Sequence, residues 1–327
     1  MRRPTLIDRL KSSEFTALLA IVVLSSLFYM GNPNFLTQSN IIVVLRSTAY
    51  AGIVCVGIAF CLISGLIDIS IGASVGMVSC FLGWLTVIVG FPPILSIIAA
   101  LGLGVVASLV NVTVILRTQI TSFISTVAMA YVLRGVAYMF SGGQVIYPIP
   151  DSIAYIGKLR PLGISVAFVI FIACVVLGEL ALRYTVWGLE VRATGSDRKI
   201  AKDTEVRVDF VNYSCFAILG LLGAIAGILI SLRTGSGVAA GGAGMEFRAI
   251  VGCALGGVSI FGYQGTIVGA GLGILLSAVI ANGMIAVGLP IALQDIVLGT
   301  LLIAVIALDI YKQKLKPINH REKETPR

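Results

Sequence analysis

The 327-residue sequence predicts an all-α, polytopic membrane bundle of about ten helices, and three observations lead there. Hydrophobic residues make up 58% and charged residues only 12%, with a mean hydropathy of +1.04, whereas about a quarter of a soluble domain is charged. The apolar residues come in runs near the roughly 20 residues that cross about 30 Å of hydrocarbon as a helix. They do not show the alternating ten-residue strands of an outer-membrane barrel. The basic residues, which give a net charge of +8, gather between those runs and in the tails. That is the pattern topology requires, not a face for nucleic acid.

Ten apolar segments follow in order: 15–30, 41–64, 70–90, 93–116, 121–140, 162–182, 211–232, 247–262, 265–288 and 290–311. The first ends in Phe28–Pro33 without a small-x-small cleavage site, so it reads as a retained helix and not a signal peptide. The second and third are separated only by Gly65–Ile69, and the eighth is short, so these are either full spans or re-entrant or broken helices. The chain divides into an N-terminal segment 1–14, one membrane domain 15–311 and a basic tail 312–327. Lys and Arg count seventeen on the side of the two termini and three (Lys158, Arg160, Arg233) on the other. The positive-inside rule then expects both termini in the cytoplasm and an even number of spans.

One polar stretch interrupts the apolar chain. Residues 183–209 hold six of the 23 Lys/Arg and five of the 15 Asp/Glu, on the side expected to be cytoplasmic. Within it, Gly195 to Glu205 has the pattern of a short helix, with Ser196 or Asp197 as N-cap. Arg198, Lys199 and Lys202 offer polar contacts, and Ile200 and Ala201 a small apolar face. The same stretch is also compatible with an ordinary solvated loop.

Glycines four apart (Gly72/Gly76, Gly223/Gly227, Gly252/Gly256, Gly265/Gly269/Gly273) mark close helix contacts, as membrane helices need. The run Gly235–Gly244 disfavours continuous helix and is either an unwound stretch lining a pathway or an external loop. Asp68, between the second and third segments, is either a carboxylate inside the bundle or a solvated turn residue. Glu179 and Asp309 are expected to be solvated or paired with Arg183 and Lys312. The six cysteines lie in apolar spans without disulfide or zinc spacing, and the single histidine, His320, lies in the charged tail. No catalytic constellation and no metal site is expected. Phe140–Gln144 (FSGGQ) mimics an ATPase signature peptide, but no phosphate-cradling loop accompanies it.

Asn34–Ile41 (NFLTQSNI), Ile63–Gly72 (ISGLIDISIG), Arg192–Ala201 (RATGSDRKIA), Met245–Ile250 with Gly256–Ser259, Asn282–Gly283 and Gln294–Gly299 fall in an order and spacing that resembles a known family. These are the membrane permeases of bacterial ribose/arabinose/xylose-type ABC sugar importers. The second block resembles that family's TGGIDLSVG, the third its AxGxNxxAAxxSGI, the fourth its ELxAIAAxxxGGxS. The resemblance implies a type II importer permease of about ten helices in the bacterial inner membrane. It also implies pairing with a second permease subunit, identical or not. A pentose- or hexose-class sugar would arrive from a periplasmic binding protein, and a separate cytoplasmic ABC ATPase would bind the ATP, so that this chain needs no cofactor. It further makes Gly195–Lys202 an ATPase-coupling helix. Passage would run past Ser64, Asp68, Ser70, Gly256, Gly257, Ser259 and Asn282. The sequence departs from the family at Leu66, Asp197, Ile200, Thr204–Val206 and Gly262–Gly265. A stand-alone secondary transporter or facilitator is the competing reading, and the scarcity of intramembrane charged relays speaks against it.

Overall fold

In a computed structural model, which describes residues 13–315, thirteen α-helices follow one another. They are α1 (Ser13–Gly31), α2 (Gln38–Ile63), α3 (Ile71–Gly83, closed by a π-helical turn Trp84–Ile88), α4 (Pro93–Thr118) and α5 (Ser122–Ser141). Then come α6 (Asp151–Lys158), α7 (Val166–Tyr184), α8 (Val186–Ser196), α9 (Arg198–Asp203), α10 (Val208–Thr234), α11 (Met245–Leu255), α12 (Ile267–Ala286) and α13 (Ile291–Leu315). Residues 1–12 of the expected N-terminal segment and 316–327 of the expected tail, with His320, lie outside the described residues. Helix α13 continues through 312–315, past the expected start of that tail.

Nine helices among the described residues are long and apolar enough to cross a membrane. Their ends follow local chemistry. Pro93 opens α4, where a missing N–H costs nothing, and Gln119, Gly142 and Gly235 stop α4, α5 and α10 in the left-handed conformation. Helices α2, α3, α10 and α12 form the buried centre, while α1 and α13 are peripheral.

The tenth crossing is broken. Gly237 exchanges backbone hydrogen bonds with Ile146 (2.9 and 3.0 Å) at the end of the bundle opposite the 183–209 stretch. The chain then descends along α3: Gly237 lies against Gly83, Ala239 against Gly76 and Gly242 against Gly72. Helix α11 completes the descent, ending where Gly256 meets Gly269 at the start of α12. The eighth segment, expected at 247–262, is thus corrected to a traverse over 235–255, and residues 256–265 form a turn. Gly235–Gly244 is the unwound half of a span, not an external loop. Its backbone is satisfied by consecutive tight turns (Gly241 N to Val238 O, Ala243 N to Ala240 O, Met245 N to Gly242 O) and by Ser79, whose hydroxyl accepts from Val238 N at 3.0 Å.

Nine helices and this traverse make ten crossings, and both ends of the described chain reach one face. Ser13 lies against Gly257, and Asp309 of α13 accepts from Ser259 Oγ (2.8 Å) and Ile260 N (3.3 Å). This face, which also carries α8 and α9, is called the polar end below. Asp309, half-buried, thus ties α13 to the 256–265 turn, and the side chain of Lys312, its expected partner, lies outside the described residues. Glu179 likewise binds backbone: it is buried and accepts from Ile267 N (2.7 Å) and Val268 N (3.2 Å), satisfying donors at the start of α12. A carboxylate at a helix N-terminus meets both orphan N–H groups and the positive end of the dipole.

Helices α2 and α11 end in the same way at the polar end. Leu66 N reaches Cys61 O and Gly65 N reaches Leu62 O; Val258 N reaches Cys253 O and Gly257 N reaches Ala254 O. Both are Schellman ends, whose turning residue must take positive φ, and Gly65 (φ +84°) and Gly257 (φ +83°) supply it.

The α11–α12 contact has no room for a Cβ on either side: one on Gly256 would meet the Gly269 carbonyl, and one on Gly273 the Gly252 carbonyl. Gly256→Val is expected to destabilise the protein by about 1–3 kcal/mol through overpacking, seen as a lower melting temperature in detergent. Gly102→Ala, in open space on α4, should melt no lower than the parent. Equal melting of Gly256→Val and the parent would contradict this packing.

Candidate coupling site and translocation residues

The polar stretch folds as two helices joined by one extended residue. Thr185 caps α8 by accepting from Gly188 N (3.1 Å), and Trp187 on α8 donates from Nε1 to Ser214 Oγ of α10 at 2.7 Å. Asp197, with extended backbone, caps α9 by accepting from Lys199 N (2.8 Å) and Ile200 N (3.1 Å). Of the two expected caps, Asp197 holds the position and Ser196 ends α8. The expected single helix over Gly195–Glu205 is thereby corrected: the break at Asp197 leaves Gly195 and Ser196 on α8 and puts Arg198, Lys199, Ile200, Ala201 and Lys202 on α9.

Within α9, Ala201 is buried against the bundle while Ile200 is 61% exposed. Arg198, Lys199 and Lys202 line a cleft of about 660 Å³ together with Gly65, Asp209 and Asn212. Asn212 is wholly buried, and neither of its amide atoms has a hydrogen-bond partner among the described residues.

The end of α8 is clamped to two other elements. Gly195 lies so close to the Ile63 carbonyl at the end of α2 that a Cβ would collide with it. Gly262 in turn lies against the Gly195 carbonyl. Arg192 Nη1 donates to Tyr263 O (3.2 Å), and Tyr263 N donates to Ile63 O (2.9 Å). The Gly262–Gly265 departure from the family pattern is therefore the turn that grips α8, with Gly262, Tyr263 and Gly265 all at positive φ. These contacts tie α8 to the end of α2 and to the 256–265 turn that follows α11.

The sequence-derived passage residues fall in two places. Ser64, Asp68 and Ser70 come together near the polar end. Ser64 Oγ donates to Cys61 O (2.8 Å), and Asp68, 1% exposed, accepts from Ser70 N and Ser70 Oγ, both at 2.6 Å. Asn111 Nδ2 of α4 donates to Asp68 Oδ2 (3.3 Å) and Ser70 Oγ (3.0 Å). Asp68 is thus inside the bundle, organising the turn into α3, and not a solvated turn residue. Gly256, Gly257 and Ser259 belong to the neighbouring turn. Asn282 lies in the other half of α12, where its Oδ1 accepts from Asn40 Nδ2 (2.8 Å).

Four residues escaped the sequence reading. Asn111 is a wholly buried amide in an apolar helix, and its polarity there was the available signal. Glu246 is 9% exposed, lies against Gly72, and its Oε2 has no partner among the described residues. Arg134 and Arg248 lie within electrostatic reach of it. Starting the eighth segment at 247 had placed Glu246 outside the membrane.

This arrangement, ten crossings, a broken span and a polar handle clamped to two helix ends, defines a polytopic membrane permease. Residues 40–306 match the family model described as "Branched-chain amino acid transport system / permease component", and the chain belongs to this family: it is an ABC-transporter permease, not an enzyme. It is similar to the "Autoinducer 2 import system permease protein LsrC" of Enterobacter sp. (strain 638), 29% identical over 300 residues, covering 92% of this chain and 87% of the relative. It is also similar to the "Ribose import permease protein RbsC" of Bacillus subtilis (strain 168), 29% identical over 301 residues, 91% of this chain and 92% of the relative. No solved structure matches the chain significantly.

Helix α9 ends in a third Schellman pattern, with Val206 N on Ala201 O and Glu205 N on Lys202 O (both 3.1 Å). Here the turning residue at φ +64° is Glu205, a left-handed position that costs a non-glycine residue about 1–2 kcal/mol. Glu205→Gly should slow amide exchange across 198–204, and Asp197→Ala, which removes the cap at a cost of about 1 kcal/mol, should accelerate it. Hydrogen–deuterium exchange reads both signs, and unchanged exchange in the pair would refute the assigned caps.

Proposed function

We propose that this chain is the membrane-spanning subunit of an importer for a small sugar or related polyol, handed over by a periplasmic binding protein and driven by a cytoplasmic ABC ATPase. The polar end faces the cytoplasm of the bacterial cell, because the seventeen-to-three distribution of Lys and Arg favours that side. The relatives named for ribose and for autoinducer 2 support a small hydroxylated solute. A second permease subunit completes the membrane unit.

The observation that carries the ATPase partner is the surface of α8 and α9. Val186 (74% exposed), Leu189 (69%) and Ile200 (61%) project from a segment outside the membrane spans, among Arg and Lys side chains. Apolar side chains exposed in water beside charges are the signature of a docking surface, a helix-in-groove contact with a polar rim. The ATPase grips this surface, closes on binding ATP, and moves α8 and α9. The Gly195–Ile63 and Arg192–Tyr263 contacts pass the movement to α2 and to the 256–265 turn, so that the bundle changes the side to which it is open. ATP is bound and hydrolysed by the partner.

Ile200→Asp and Leu189→Asp are expected to abolish co-purification with the ATPase while leaving the permease folded by its melting curve. The double charge reversal Arg198→Glu/Lys199→Glu should leave ATP hydrolysis running without uptake in reconstituted vesicles; unchanged transport would sink the docking assignment. A cysteine placed at Ser196 should react with a membrane-impermeant maleimide only in inside-out vesicles. Labelling in right-side-out cells would reverse the orientation. Uptake driven by an ion gradient with no ATPase present would replace the whole reading with that of a secondary transporter.

A further inference from the structure

A second cavity lies within the apolar length of the bundle, between α2, α11, α12 and α13. It measures about 190 Å³ and is lined by Ser47, Thr48, Arg248, Ser277, Asn282 and Gln294 among apolar neighbours. It runs along α12 from Ile274 to Ile285, within a helix apolar enough to span a membrane. Polar groups at such depth are costly unless they meet one another or a polar occupant. Here they are incompletely met. Gln294 Nε2 has no partner among the described residues. Ser47 and Thr48 donate to the Val44 carbonyl (2.9 and 2.8 Å) and keep their oxygen lone pairs for an acceptor role.

We propose that this cavity is a solute station on the translocation route and that its occupant is a small, neutral, hydroxyl-rich molecule. The assignment rests on the importer reading above and specifies the solute site within it. The volume equals about six waters at ~30 Å³ each, the scale of a five- or six-carbon polyol. The lining offers donors (Gln294, Asn282, Arg248) and acceptors (Ser47, Thr48, Ser277) in similar number, and each hydroxyl of a polyol is both donor and acceptor. The single cation, Arg248, lies within electrostatic reach of Glu246, so the site carries no uncompensated charge for a carboxylate. Arg248 also forms a wall of an adjoining cavity of about 480 Å³ that contains Asp295 and Phe247.

The test uses Ser277→Cys in a Cys174→Ala background, the purified permease in lipid nanodiscs, and N-ethylmaleimide as a neutral probe. The remaining native cysteines are buried and line neither cavity, whereas Ser277, though 4% exposed, lines this one. Residue 277 should react, and D-ribose or D-xylose at millimolar concentration should slow the reaction several-fold. Adding Gln294→Leu should remove that protection while the rate without solute stays the same. An unreactive Cys at 277, absence of protection by either sugar, or protection by L-leucine instead of the sugars would each overturn the assignment. Protection is read on the permease alone, so it is independent of the ATPase. Uptake powered by ATP without protection would reject this cavity and keep the importer, whereas protection with ion-driven uptake would reject the importer and keep the cavity.

Discussion

Everything in this chain depends on the inability of hydrocarbon to hydrogen-bond a peptide group. A continuous helix meets the constraint by itself, and nine helices do so. The traverse 235–255 cannot, and it survives because α3 presents Gly72, Gly76 and Gly83 along one line, close enough for backbone to pack on backbone. Ser79 then supplies the acceptor that the unwound chain lacks at Val238, and Ser231 Oγ donates to Ser79 Oγ at 2.7 Å. The glycines of α3 are therefore part of the machinery that makes a non-helical span affordable.

The same constraint shapes the polar end. Helix ends expose four carbonyls or four N–H groups each, and here they are closed by groups from distant parts of the chain. Glu179 of α7 caps α12, Asp309 of α13 closes the 256–265 turn, and Tyr263 binds the end of α2. Caps made across elements hold those elements in register, so α2, α7, α8, α12 and α13 are fixed to one another where α8 and α9 emerge. In the coupling proposed above, a handle attached at that junction would move helix ends and not a slack loop.

Much of this was legible in the sequence. Run length and charge asymmetry pointed to about ten crossings, and the motif around Arg192–Ala201 marked the polar stretch that folds as α8 and α9. What could not be read was where an element stops when its stop is tertiary. The eighth segment looked short because hydropathy marks α11 but not Gly235–Gly244, whose membrane depth is set by contact with α3. Misplacing that boundary moved Glu246 out of the membrane and hid a buried carboxylate within electrostatic reach of Arg134 and Arg248. Glu179 and Asp309 read as solvated or paired with nearby basic residues because sequence shows only neighbours along the chain, whereas backbone and hydroxyl partners lie 88 and 50 residues away. For the passage residues, the turn motifs pointed to chain reversals at the polar end. Of the polar lining of the α2–α12 cavity, Asn282 was among the expected passage residues and Arg248 and Gln294 lie in the family blocks, whereas Ser47, Thr48 and Ser277 belong to none of them.

Two of the departures from the family pattern, Leu66 and Glu205, differ in physical kind. Leu66 replaces a glycine just after the turning residue, at a position whose side chain packs back on the helix in a Schellman end; it is buried at 4% exposure and adds to the core. Glu205 replaces a glycine at the turning residue itself, where a side chain brings strain and, being exposed, little packing in return. A substitution that costs local stability on the docking surface is compensated only if the side chain contributes elsewhere. Glu205 adds a negative charge beside Arg198, Lys199 and Lys202, on the surface assigned here to the ATPase. Strain there, with ordinary glycine at the matching turns of α2 and α11, sets Glu205 apart from Leu66: the one costs local stability where the other adds packing.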